Sequence, residues 1–107
     1  MSIKQAFEGL QKKMNENPEG IQRLSSVYQF DLTDDVTYQI VFKDGQVFIL
    51  ENVEKEADCT LQLSSGDVLK FIDGKLNTTM AFMTGKLKVK GDITLALKLQ
   101  SAIEKYR

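Results

Sequence analysis

The 107-residue sequence predicts one α+β domain spanning residues 1–107. Three observations carry this reading. Apolar residues recur at helical spacing at both ends of the chain and again after Ser64. Between Tyr28 and Leu63, successive runs alternate apolar and polar residues at period two, the signature of half-buried strands. Hydrophobic residues make up 42% and charged residues 27%, which suits one packed core and argues against disorder. Hairpin-linked strands with helices grouped elsewhere in the chain indicate α+β rather than α/β.

The first helix follows from its cap and its stripe. Ser2 and Gln5 stand at capping-box spacing. Ile3, Phe7, Leu10 and Met14 then form one apolar face, with Lys4, Glu8 and Lys12 off it. The helix should stop near Asn17, because a residue before proline avoids helical angles. Asn17-Pro18 can open a second, short helix through Ile21 and Leu24.

Tyr28, Phe30 and Leu32 mark a first strand, and Val36, Tyr38, Ile40 and Phe42 a second. Asp44-Gly45 is a hairpin turn, since both residues tolerate positive φ. The returning strand holds Val47, Phe48, Ile49 and Leu50 in succession, so both of its faces are expected to be covered. Glu51 to Asp58 reads as a charged loop, and Cys59, Leu61 and Leu63 as a fourth strand. Ser64 caps a helix with Val68, Leu69, Phe71 and Ile72, stopped at Gly74. Asn77 caps another, holding Met80, Ala81, Phe82 and Met83 and ending at Gly85. Lys86 to Lys90 is a fifth strand. Asp92 caps the last helix, whose stripe is Leu95, Ala96, Leu99, Ala102, Ile103 and Tyr106.

Composition removes most catalytic chemistry. The chain contains no His and one Cys, Cys59, so His-dependent triads, His-ligated metals, Cys-based zinc sites and an internal disulfide are excluded. Asp34-Asp35 reads as a solvated turn, because adjacent residues there need not converge. Glu51, Glu54, Glu56 and Asp58 lack the ordered spacing of a calcium loop. Cys59 falls mid-pattern on a strand and reads as a small core residue. No cofactor, metal or enzymatic activity is expected.

The net charge is −1, which disfavours a nucleic-acid partner. It is unevenly spread: residues 1–64 carry 6 Lys/Arg against 11 Asp/Glu, and residues 65–107 carry 8 against 4. A basic second half suits contact with an anionic membrane surface. A solvated surface with no partner is the more ordinary reading of the same asymmetry. No apolar run is long enough to span a bilayer, and the N-terminus lacks a signal-peptide core. Cys59 suits a reducing compartment, so a cytoplasmic location is expected. The last residues, Glu104 to Arg107, carry no Ser-Lys-Leu-type peroxisomal signal.

Four stretches stand out from Ala57 onward: Ala57-Asp58-Cys59-Thr60-Leu61 and Gly74-Lys75-Leu76-Asn77, then the run from Ala81-Phe82-Met83-Thr84-Gly85 to Gly91-Asp92, then Leu95-Ala96-Leu97-Lys98-Leu99-Gln100. In this order they resemble the sterol carrier protein 2 (SCP2) domain family. They span about half of the chain, and the first half agrees in pattern. The chain looks like a stand-alone bacterial member. The resemblance implies a five-stranded, mainly antiparallel sheet with helices over one face and an apolar tunnel between the two layers. It implies a non-enzymatic carrier of fatty acids, fatty acyl-CoA, phospholipids or sterol-like ligands. Such domains also occur fused to enzymes, so a homodimerisation or accessory-subunit role beside a partner enzyme is the alternative.

Lipid binding needs apolar wall area, since each buried CH₂ contributes about 0.8 kcal/mol. Phe71, Met80, Phe82 and Met83 are candidate walls, with Leu95, Leu99 and Ile103 on the last helix facing them. Ordinary core packing explains the same spacing. Gln100 matches the family's Leu-Gln pair and suits a head-group hydrogen bond; a solvent-facing amide is the other reading. Lys86, Lys88 and Lys90 share one strand face and suit an anionic head group, or serve only to solvate that face.

Overall fold

A computed structural model describes residues 2–34 and 36–106. The elements run α1 (Ile3–Glu16), a 3-10 turn (Pro18–Ile21), β1 (Val27–Leu32), β2 (Thr37–Lys43), β3 (Gln46–Leu50), β4 (Cys59–Leu63), α2 (Ser65–Ile72), α3 (Thr78–Met83), β5 (Lys88–Gly91) and α4 (Ile93–Glu104).

Local chemistry sets most boundaries. The Ser2–Gln5 capping box closes with two reciprocal bonds of 3.1 Å, satisfying donors at the start of α1. Pro18 ends that helix and opens the 3-10 turn, which stops at Ile21 and leaves Leu24 buried beyond it. Asp44 and Gly45 both take left-handed φ, 54° and 75°, so Lys43 pairs directly with Gln46. Ser64, Asn77 and Asp92 cap α2, α3 and α4 through their side-chain oxygens.

The five strands form one sheet in the order β3-β2-β1-β4-β5. Three pairings are antiparallel and β1–β4 is parallel. The register places Tyr28 beside Ile40 and Cys59, and Phe30 beside Tyr38 and Leu61, all on the face that the helices cover. The ring of Phe7 from α1 lies 5.3 Å from that of Phe30, and Phe71 from α2 lies 6.2 Å from it. Tyr28 donates to Leu95 O at 2.8 Å and ties the sheet to α4.

Two expectations change. β5 begins at Lys88 instead of Lys86, because Gly85 takes a left-handed φ of 83° and the chain turns through Lys86 before it pairs with Gln62. Gly91 closes the strand at φ 96°, where a Cβ would meet Asp58 O at 2.6 Å. β3 is covered on one face only. Val47 is buried while its neighbour Phe48 is 44% exposed, because β3 is an edge strand and its outer face is open.

The segment from Glu51 to Asp58 returns from β3 to β4 across the outer face of β2 and β1. Gln39 on β2 holds it. This fully buried amide donates to Lys55 O (2.7 Å) and Gln29 Oε1 (3.0 Å) and accepts from Glu54 N (3.0 Å) and Lys55 N (3.1 Å). All four of its hydrogen-bonding positions are used. Asp58 completes the anchor by accepting from Val27 N at 2.7 Å.

Candidate functional site

The helical layer leaves a cleft of about 740 Å³ between α1, α2 and the end of α4. Its apolar lining comes from Ala6 and Leu10 on α1, Leu69 and Ile72 on α2, and Ile103 and Tyr106. Gly9 supplies a bare stretch of backbone there, with open space where a Cβ would point. Lys13 and Lys75 lie at the lining with Gln5 and Asp73. This volume falls within the range of small-molecule pockets, about 300–1,000 Å³. An apolar floor with cations beside it matches an anionic amphiphile in chemistry.

Tyr106 forms one end of this cleft. Its hydroxyl donates to Asn17 O at 2.6 Å and accepts from Gly20 N at 3.0 Å, so the chain after α4 is fastened to the 3-10 turn. Gly20 is required there, because a Cβ would lie 2.7 Å from the Tyr106 ring.

A second, polar cleft of about 380 Å³ is lined by the 74–79 segment and Gln100. Lys75 borders both clefts. Gln100 is half-buried there. Thr78, also at this cleft, is buried, and its hydroxyl has no hydrogen-bond partner among the described residues.

The other residues singled out from the sequence divide into two sets. Phe71, Leu99 and Ile103 are buried, and Leu95 is partly buried against the same core. Met80, Phe82 and Met83 are not interior wall in this structure. α3 turns Thr78 and Ala81 inward, one helical step apart, and leaves the three larger side chains 56%, 43% and 74% exposed. Periodicity missed Gly9, Leu69, Ile72 and Tyr106 as neighbours, because three separate elements bring them together. The adjacent small residues Ala6 and Gly9 on α1 were the available signal, since they leave room beside a helix.

The polar candidates have structural partners. Cys59 is buried, and burial, reinforced by the charge of Asp92, pushes its thiol up to about 11, so it stays protonated and unreactive near neutrality. Asp34 accepts from Ser65 N and Ser65 Oγ at 2.9 Å each, and these bonds hold its carboxyl below the ordinary value. Asp35 lies outside the described residues. No group of three metal-ligating side chains occurs among the described residues. Lys88 and Lys90 stand exposed on the outer face of β5, while Lys86 sits in the turn before it. No helix among the described residues is long and apolar enough to cross a membrane.

The model of the SCP-2 sterol transfer family matches residues 4–104. The chain belongs to this family. Sterol carrier protein 2 of Oryctolagus cuniculus is 34% identical over 101 residues, covering 89% of this chain and 18% of that protein. The chain therefore spans less than a fifth of that curated relative. The sterol carrier protein domain 2 of Helicoverpa armigera superimposes with a TM-score of 0.80 at 28% identity, covering 95% of this chain and 85% of that one. The palmitated SCP2L2 of Aedes aegypti superimposes with a TM-score of 0.71 at 25% identity, covering 96% and 95%. The family resemblance, the α+β class and the mainly antiparallel five-stranded sheet expected from the sequence all stand.

Proposed function

We propose that this SCP-2 family domain is a non-enzymatic carrier of a single-tailed anionic lipid, a fatty acid or its CoA ester. The observation that carries this reading is the apolar cleft between α1, α2 and α4 with Lys13 and Lys75 beside it. The tail lies over Gly9 and against Leu69, Ile72 and Ile103. Its deeper end reaches toward Phe71, Leu95 and Leu99 as α4 loosens, opening the tunnel that the family resemblance implies. The head group meets Lys75 and the Gln100 amide in the adjoining polar cleft. Palmitate on a relative of this fold supports the choice of tail. Burial of successive CH₂ groups at about 0.8 kcal/mol each supplies the affinity without any catalytic group.

Displacement of a fluorescent fatty acid by palmitate tests the reading. We expect saturable one-to-one binding. Gly9→Trp fills the cleft without touching the core and should weaken binding by roughly tenfold or more with the circular dichroism unchanged. Lys75→Ala should weaken palmitate more than its methyl ester. Non-saturable uptake, or wild-type affinity in a folded Gly9→Trp protein, contradicts the proposal. Tight binding of a phospholipid or sterol in place of palmitate would move the ligand class and keep the cleft.

A further inference from the structure

The two edges of the sheet are guarded differently. β5 is four residues long and carries Lys88 and Lys90, both exposed, an ordinary defence against a stray strand. β3 has no charge, no proline and no glycine from Gln46 to Leu50, and its Phe48 is exposed. Such an edge is a template for another strand, because its outward N–H and C=O groups are left to pair.

The outward groups of Val47 are met by a side chain instead. Val47 N donates to Asn15 Oδ1 at 2.9 Å, and Asn15 Nδ2 donates to Val47 O at 3.0 Å. A carboxamide carries the donor and the acceptor of a peptide group, so Asn15 takes the place of a neighbouring strand's backbone. Gln11, one turn earlier on α1, adds a longer bond from Nε2 to Val47 O at 3.4 Å. Lys4, near the start of α1, pairs with Glu51 just past β3 at 3.2 Å, so the helix runs along this edge. At about 100° per residue, Lys4, Gln11 and Asn15 share one flank of α1. Ala6, Gly9 and Lys13, which line the main cleft, share the opposite flank.

We propose that the β3 edge is a pairing surface for a second copy of this chain, and that the Asn15 carboxamide keeps it shut. Ile49 stands two residues beyond Val47, so its backbone groups point off the sheet in the same direction. A twofold axis at Phe48 sets Val47 of each copy against Ile49 of the other, in an antiparallel pair that exchanges backbone bonds. The two Phe48 side chains, each 44% exposed, meet across that axis. No like charges face each other, since the strand has none. This self-complementarity selects a second copy as the partner. The pairing cannot form while Asn15 holds Val47, so the edge opens only when α1 withdraws or the amide is lost. It does not depend on what the main cleft binds.

Replacing both amides, Gln11→Ala with Asn15→Ala, opens the edge. Neither side chain is buried, and alanine is the stronger helix former, so the fold should survive; circular dichroism checks this. Analytical ultracentrifugation over a concentration series reads the self-association constant. The double variant should associate at least roughly tenfold more tightly than the wild type, because neither copy gives up bonds to its own amides. Adding Phe48→Lys sets two ammonium groups across the axis and should return the constant to the wild-type value. Amide exchange at Val47 and Ile49 should slow with concentration in the double variant. An unchanged constant in a folded double variant, or a tighter one that Phe48→Lys leaves in place, overturns the proposal.

Discussion

Replacing Gln39 by leucine removes the clamp that holds the 51–58 segment across the sheet. The side chain is fully buried and makes four hydrogen bonds, two of them to the backbone N–H groups of Glu54 and Lys55. Each bond contributes about 0.5–1.5 kcal/mol net, so the full set stands near 4 kcal/mol. Leucine returns up to about 2 kcal/mol of apolar burial at the same site. Residues 51–56 are exposed, so their freed backbone groups regain water once the segment lifts. The expected loss is therefore about 2 kcal/mol, a large share of the ~5–15 kcal/mol that stabilises a domain. Urea unfolding measures it as a lower midpoint at unchanged slope. Limited proteolysis supplies the local readout, with new cleavage between Glu51 and Asp58. A midpoint shift worth less than about 0.5 kcal/mol, or an equally resistant segment, would refute the clamp.

Gly9→Ala should raise stability by about 0.5–1 kcal/mol in the same urea assay, because the helix gains an alanine and the new Cβ meets nothing. Thr78→Val keeps the shape and deletes a buried hydroxyl that lacks a partner, so it should raise stability by about 1 kcal/mol; a loss would mean that the hydroxyl is bonded in solution. Tyr106→Phe removes both bonds to the 3-10 turn and should lower stability by about 1–2 kcal/mol, with faster amide exchange at Gly20. Alkali should weaken the fold. Burial raises the Cys59 thiol from 9.0 to about 11, and burial also raises Tyr28, so the unfolded chain ionises first. The Cys59 contribution is complete below about pH 9 and is lost as the pH rises through 11, and Tyr28 adds to the fall above its ordinary value of 10.0; a melting temperature flat from pH 9 to 11 would contradict it, and Cys59→Ala should shallow the fall.

The parts legible in the sequence are those governed by nearest neighbours. The Ser2–Gln5 box, the break at Pro18, the Asp44-Gly45 turn and the caps at Ser64, Asn77 and Asp92 each act within a few residues, and each lies where its spacing put it. The five-stranded, mainly antiparallel sheet followed from the family resemblance, and the order of its strands comes from the structure alone. What escaped depends on distant chain. Gln39 looks like any outward residue of an alternating strand, and only the returning 51–58 segment buries it. α3 is too short for its periodicity to choose a face, so packing against the rest of the chain decides that Thr78 and Ala81 turn inward. The main cleft joins Gly9, Ile72 and Tyr106 across nearly the whole chain, and no local pattern records that meeting.

The central claim is a lipid-loaded helical layer. Native mass spectrometry of freshly purified protein, with solvent extraction of whatever is bound, tests it most directly. The expected result is a stoichiometric adduct of fatty-acid or acyl-CoA mass that Gly9→Trp lacks. A clean ligand-free mass, followed by no saturable uptake of added palmitate, would contradict it and leave the cleft an ordinary surface groove.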